Sequence, residues 1–507
     1  MAVKINLRAG TPDDANRTYL PEEIIGTDIV VNENGNNSQP WPERLTKHTE
    51  ALCEGIENTW YEYVPESCDP EKKVPLVVSL HGGLMTGWGQ CIYSSWSYVA
   101  DREGFIVVYP DATSARFWMI EGMFDQGDTP TEIDGVVIPR APKDYRENHD
   151  LNFLRALIET MKSRYNIDES RIFMQGMSMG NLMTAQFSRY YGNILAGAAG
   201  AAACTWAIDL FEKDGSLKNV AGPVAAWQTR PENNGFGMTD YEGQLDPNNI
   251  NRYYWLKING CNPLPEISII GEDNFAFYKG EKADLVYLDI KNRDHGQTLD
   301  EAFLYWDYFF SGLRRLEDGS IETTTPNIER KGDQNAAAFT PEVPAVWWQN
   351  RRYELTTAPI RWNKLKYHGL NGGEVVRGSY LMVPVSFLAQ MAGAAYKASE
   401  DTLKSEITLS DGRVLVFARG SIGCLIDDQL RCMDCEAIHR NGELLISISW
   451  FAKAILGWQT SECNDVLYAT DHWAELSYYA ADVIKSILKD EYSFEDFDRL
   501  VKKIMNK

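Results

Sequence analysis

The chain has 507 residues, 44% hydrophobic and 24% charged, with 72 Asp and Glu against 49 Lys and Arg. That length favours two or three domains around sizeable cores. The formal charge of −23 repels phosphate backbones and anionic lipid, which argues against nucleic acid and membrane surfaces as partners.

No apolar run approaches the ~20 residues needed to span a bilayer. The opening Met1-Ala2-Val3-Lys4-Ile5-Asn6-Leu7 lacks the apolar region of a secretory signal. A cytoplasmic protein and a secreted one whose signal has been removed both fit. Residues 1–54 read as an N-terminal extension whose strands pack on the domain that follows.

From Trp60 the pattern predicts paired strands, Trp60-Tyr61-Glu62-Tyr63-Val64 and then Val74 to Leu80. The second is continuously apolar, as a strand covered on both faces should be. Trp96 to Arg102 predicts a helix, Gly104 to Pro110 a buried strand, and Asp150 to Tyr165 an amphipathic helix with apolar positions at Leu151, Phe153, Leu154, Leu157, Ile158 and Met161. Residues 121–146, rich in Asp, Pro and Gly, interrupt this rhythm and read as an insertion or lid. Strands then alternate with helices as far as residue 316. The predicted fold class is therefore α/β, a mostly parallel sheet with helices on both faces.

Residues 317–350, polar and containing Thr323-Thr324-Thr325-Pro326, read as a linker. Beyond them, residues 351–507 predict a smaller α+β domain ending in helices. Leu381 to Ala389 and Leu444 to Ala452 are similar apolar runs about 63 residues apart, which suggests a duplicated strand-plus-helix unit.

The chemistry centres on Gly176-Met177-Ser178-Met179-Gly180, which follows the apolar run Arg171 to Gln175 and precedes a helical stretch. Strand, Gly-x-Ser-x-Gly turn and helix form a nucleophile elbow, characteristic of the α/β-hydrolase sheet. A serine hydroxyl needs a base, and the base an orienting acid, arriving in the order Ser, acid, His. Between Ser178 and the linker the one histidine is His295, in the polar loop after Asp284 to Leu288. Leu80-His81-Gly82-Gly83-Leu84 sits where an oxyanion turn belongs, so the expected donors are the backbone of Gly83 or Leu84 and of Met179. For the acid, Glu232 is the first choice by loop position, with Asp240, Asp246 and Asp289 as alternatives. Trp88, Trp118 and Trp206 are candidate substrate contacts, with core packing as the competing role.

Nine cysteines leave at least one thiol free. Cys432-Met433-Asp434-Cys435 has zinc-pair spacing, but no second pair completes a site. Neither a metal nor a cofactor is expected.

His81-Gly82-Gly83, Asp101 to Asp111 and Tyr165 to Gly180, with Trp255 before Asn259-Gly260-Cys261, resemble the polyhydroxybutyrate-depolymerase and feruloyl-esterase group over roughly residues 55–316. The resemblance implies a serine esterase working through an acyl-enzyme, on feruloyl, acetyl or other short or phenolic acyl esters, free or linked to polysaccharide. Polyhydroxyalkanoate cleavage is the alternative reaction. A binding or scaffold protein that keeps a hydrolase shell without turnover is the alternative of another class. The chain departs from the group in two places. Gln228-Thr229-Arg230-Pro231-Glu232 stands where His-Gly-x-x-Asp is usual, and His-Gly-Gly where His-Gly-Cys is frequent. Residues 357–475 resemble the copper amine oxidase N-terminal-like domain of bacterial surface proteins, on Leu381 to Ala389, Asn441 to Ser449 and Leu456-Gly457-Trp458. That implies an accessory module for attachment, for homo-oligomer formation or for shaping the active-site rim, and no copper.

Overall fold

The computed structural model describes residues 25–27, 43–113, 116–123, 131–133, 135–138, 140–233, 247–368 and 373–506. Among these no helix is long and apolar enough to cross a membrane.

A ten-stranded sheet organises the first two thirds of the chain. Its strands are β1 (Leu45–Cys53), β2 (Ile56–Tyr63), β3 (Val74–Leu80), β4 (Ile106–Pro110), β5 (Ile167–Met177), β6 (Gly197–Ala201), β7 (Ala225–Asn233), β8 (Glu266–Ile270), β9 (Asp273–Tyr278) and β10 (Leu285–Asp294). They lie in the order β1-β2-β4-β3-β5-β6-β7-β10-β9-β8. From β4 to β10 the neighbours are parallel, and the pairs at both edges are antiparallel. Strand order and the elbow after β5 together define an α/β-hydrolase sheet.

The apolar runs of the parallel strands are explained by two cores. Leu76, Val78 and Leu80 of β3 join Leu154, Leu157, Met183 and Phe187 on one face. Val77 joins Trp96, Trp306 and Phe310 on the other, which is the period-two alternation of a strand covered on both sides. The helices supplying these faces are α1 (Gly87–Ser94), α2 (Trp96–Glu103), α3 (His149–Arg164), α4 (Met179–Tyr191), the short α5 (Ala207–Leu210), α6 (Pro247–Asn259) and α7 (Glu301–Tyr308). α3 begins where Asn148 Oδ1 accepts the Leu151 N–H at 3.2 Å and ends with Lys162 and Arg164 in its last turn. Both features favour a helix at that register.

The expected linker is a correction. Within 317–350 the segment Ala336–Phe339 is a fully buried strand at the centre of a five-stranded sheet, flanked by Ala345–Trp348 and Val466–Thr470. Alanines carry little strand preference, so tertiary packing decides this element. Asp333 fastens it to β8. Its carboxylate accepts from Ser268 Oγ (2.8 Å), the Ile269 N–H (2.9 Å) and Tyr468 OH (2.6 Å).

Two further sheets complete the C-terminal half. One is a meander from Ala395 to Cys432; the other pairs Gly373–Pro384 with Glu443–Ser447. Each of these last two strands runs directly into a helix, α8 (Val385–Met391) and α9 (Ile448–Phe451). The chain closes with α10 (Tyr478–Leu488) and α11 (Phe494–Met505). α11 returns to the first domain. Phe497 stacks on Tyr253 at 4.8 Å, Lys257 Nζ meets Asp498 at 2.6 Å, and Val501 and Ile504 enter the hydrolase core. The boundary expected at residue 351 is thus crossed on both sides, by the strand 336–339 and by α11. All nine cysteines are free thiols; Cys435 is buried and Cys432 exposed.

Asp333→Ala strips three donors of one carboxylate at the junction. Its unfolding free energy in urea is expected to fall by about 2–4 kcal/mol. An unchanged midpoint would mean that Asp333 does not hold the two halves together.

Candidate active site

Ser178 stands between β5 and α4 with φ 54° and ψ −118°, a conformation L-residues avoid. Such a residue costs roughly 1–3 kcal/mol and persists only where its surroundings enforce it. Here the glycines do so: a Cβ on Gly176 would lie 2.1 Å from the Gly180 carbonyl oxygen, and one on Gly180 2.2 Å from that of Leu80. The Ser178 N–H donates to the Ala201 carbonyl at 2.9 Å, so the turn is also tied to β6.

His295 follows the last residue of β10, and its Nε2 lies 3.0 Å from Ser178 Oγ. Partial burial holds its pKa below the ordinary value, opposed by the Asp294 charge. A neutral imidazole beside a hydroxyl is an acceptor for that hydroxyl's proton.

A buried chain of amides ties together the strand ends from which Ser178 and His295 emerge. Gln175 Oε1 accepts from Ser79 Oγ (2.8 Å) and from Trp96 Nε1 (2.9 Å). Its Nε2 donates to Gln297 Oε1 (2.9 Å), and the Gln297 N–H donates to Tyr93 OH (3.0 Å). Ser79 lies in β3 just before the His-Gly-Gly turn, Gln175 lies three residues before Ser178, and Gln297 two after His295. One network therefore spans the three strand ends. No motif legible in the sequence gives Gln175 a role. The available signal was an amide inside the otherwise apolar run Ile172 to Met177, since a buried polar group implies a partner.

The turn after β3 is held by His81. Its Nε2 accepts the Ala112 N–H at 2.9 Å, which leaves the proton on Nδ1, 2.6 Å from the Gly82 carbonyl. Burial pushes the His81 pKa down to about 4, so the ring stays neutral. Trp118 Nε1 donates to the His81 carbonyl at 2.8 Å.

The structure departs from two sequence expectations. The Leu84 N–H already donates to the Arg116 carbonyl at 3.0 Å and cannot serve an oxyanion. The amides of Gly83 and Met179 have no acceptor among the described residues. Trp88 and Trp118, expected as substrate contacts, are 3% and 0% exposed and belong to the cores. Trp206 is half-buried.

Glu232, the first choice for the acid, is committed elsewhere. β7 continues to Asn233 instead of ending near Trp227, so residue 232 lies inside a strand. One oxygen accepts the Tyr478 N–H of α10 (2.8 Å), the other the Asn292 N–H (3.2 Å), and Lys291 Nζ lies 3.4 Å from both. Asp289 is buried against Arg230 at 3.3 Å, and burial raises its pKa to about 6. Asp240 and Asp246 lie in 234–246, outside the described residues.

No family model matches the chain. It is 30% identical over 138 residues to a bifunctional acetylxylan esterase/xylanase of Neocallimastix patriciarum, covering 27% of this chain and 16% of that protein. It is 29% identical over 140 residues to a poly(3-hydroxyalkanoate) depolymerase of Paucimonas lemoignei, covering 27% and 30%. An acetyl xylan esterase from Aspergillus awamori aligns in structure with a TM-score of 0.37 and 16% identity, over 52% of this chain and 97% of that one. The chain spans less than half the length of the curated relatives it matches. The resemblance to acetylxylan esterases and to a polyhydroxyalkanoate depolymerase therefore stands on a sequence likeness over 27% of this chain.

With Glu232 and Asp289 engaged, Asp240 and Asp246 are the candidates named from the sequence that remain to be tested. Ester turnover is expected to fall about 10³–10⁴-fold in one of Asp240→Asn and Asp246→Asn, and to stay within a few-fold of wild type in Glu232→Gln. Steady-state kinetics on an activated acetyl ester checks this, and a loss confined to Glu232→Gln would reverse the assignment.

Proposed function

We propose that the protein is a serine carboxylic-ester hydrolase that works through an acyl-enzyme. The observation carrying the proposal is the 3.0 Å approach of His295 Nε2 to Ser178 Oγ at a strained elbow. In the first half-reaction Ser178 Oγ bonds to the ester carbonyl carbon as its proton passes to His295 Nε2. The carbonyl electron pair moves to oxygen, where the Gly83 and Met179 N–H groups face it. Collapse breaks the bond to the alcohol, which leaves with the proton from His295. Water then repeats the sequence, with His295 again as base, and frees the carboxylic acid and the serine.

Among acyl groups, the named activities of the similar proteins favour acetyl on a plant polysaccharide, with polyhydroxyalkanoate as the alternative; phenolic acyl esters rest on the sequence resemblance alone. The C-terminal half is proposed as a brace for the active-site rim. Its α10 supplies the Tyr478 N–H to Glu232 at the ends of β7 and β10. This reading needs no copper, and homo-oligomer formation through that half is a separate proposal.

Ser178→Ala is expected to lower p-nitrophenyl acetate turnover by about 10⁴-fold or more. Wild type and variant equally inert would instead make the chain a non-catalytic scaffold. The pH profile follows from the direction of the His295 shift. The base must be neutral, so activity is present above its pKa and lost as pH falls through it. The acid limb of kcat/KM is expected to have its midpoint below about 6.5, the ordinary histidine value. A midpoint above 7 would contradict a desolvated His295 as the base.

A further inference from the structure

The turn joining β1 to β2 and the start of α3 bring together three chemically active side chains that acyl transfer does not use. Glu54 and Gly55 both have positive φ, 54° and 69°, and so fold the hairpin tightly between Cys53 and Ile56. His149, the first residue of α3, is buried beside this turn. Cys53 Sγ lies 3.8 Å from His149 Nδ1, and Glu54 Oε2 lies 2.8 Å from the same nitrogen. One donor atom from each of the three residues falls within 4.8 Å of the others.

The arrangement is not that of a cysteine nucleophile with its base. A relay would place thiol and carboxylate on opposite ring nitrogens. Here both converge on Nδ1, and Nε2 faces Asn58 Nδ2 at 3.0 Å. Convergence of sulfur, imidazole nitrogen and carboxylate oxygen on one point is the donor set of a zinc-type ion. Tetrahedral bonds of about 2.3 Å to sulfur and 2.0 Å to nitrogen set those two ligands roughly 3.5 Å apart, close to the observed separation. The carboxylate is also oriented from behind, because Asn152 Nδ2 donates to Glu54 Oε1 at 2.8 Å. Among the described residues no lysine or arginine pairs with Glu54 or with the neighbouring buried Asp150, whose partners are the Thr113 and Met119 N–H groups.

We propose that Cys53 Sγ, Glu54 Oε2 and His149 Nδ1 bind one divalent ion of the zinc type, with water completing a tetrahedron. Binding releases the Cys53 thiol proton to solvent. The proton that His149 Nδ1 shares with Glu54 is replaced by the metal bond, and the neutral ring carries its proton on Nε2. Asn58 provides for that proton. The residue is 1% exposed, and its Oδ1 has no hydrogen-bond partner. A half-turn of the amide presents that oxygen to Nε2–H. An outer-shell acceptor on the second ring nitrogen is the usual companion of a metal-bound histidine. The ion would clamp the edge hairpin to the start of α3.

The test is cobalt titration of the full-length protein, which reads the site without turnover and so stands apart from the esterase proposal. One equivalent of Co²⁺ per chain is expected, with a thiolate-to-cobalt charge-transfer band and ligand-field bands of tetrahedral intensity. Cys53→Ser should abolish the charge-transfer band, while Cys432→Ser, which breaks the Cys-x-x-Cys pair, should leave it intact. Glu54→Gln changes only an exposed turn residue and should weaken binding at least about tenfold. The proposal is overturned if no stoichiometric binding occurs. It is equally overturned if the band survives Cys53→Ser, or if Glu54→Gln binds as tightly as wild type.

Discussion

A proton crosses between two heavy atoms only when they approach to about 3 Å, and the proposed chemistry of this site depends on that limit. Ser178 and His295 are 117 positions apart and leave the sheet from strands separated by β6 and β7. The strand ends that carry them are joined by Gln175, whose single amide reaches Ser79 and Trp96 on one side and Gln297 on the other. The network is polar and fully enclosed, which is a poor way to gain stability. Gln90 donates from Nε2 to Ser79 Oγ at 3.1 Å. Its Oε1 and Gln297 Nε2 are left without partners among the described residues, at a cost of about 1–3 kcal/mol each. What such a network supplies is register. An apolar core tolerates small slips of one strand end against another, whereas a chain of directional bonds does not.

The same demand for fixed geometry explains the elbow. A serine in an unstrained strand would point to one face of the sheet and be buried there. The positive φ at Ser178 lifts its side chain off the end of β5, and it brings the amide of Met179, at the positive end of the α4 dipole, beside it. Strain and the proposed activity come from one backbone conformation.

Much of this was legible in the chain because it follows from local rules. The continuous apolar runs at Val74–Leu80 and Ile106–Pro110 announce strands covered on both faces, and the order serine before histidine needs no structure. The unread parts depend on partners distant in sequence. Glu232 looked like a loop residue because nothing local shows that β7 runs on to Asn233; pairing with the end of β10 extends it. The Leu84 amide looked available because its acceptor, the Arg116 carbonyl, lies 32 residues on. Trp118 looked like a substrate contact, since only folding puts its indole N–H under the His81 carbonyl. The alanines at 336–338 lack any strand signature, and a sheet assembled from both ends of the C-terminal half makes them one.

The C-terminal half is itself arranged as an exchange. Strands Gly373–Pro384 and Glu443–Ser447 pair antiparallel through Met382 and Ser447, and α8 packs on the second strand while α9 packs on the first. Each unit thereby covers the other's exposed face, which gives the repeated apolar runs a reason to be alike. From this body α10 reaches back to the sheet, where the Tyr478 N–H meets Glu232 and Glu232 meets the Asn292 N–H. Asn292 is three residues from His295. Two hydrogen bonds and a short stretch of chain therefore connect α10 to the histidine loop. Glu232 is suited to that task for the reason it is unsuited to orienting an imidazole. Lys291 and the positive end of α10 already balance its charge, so it holds two strand ends together and has little left to offer a third partner.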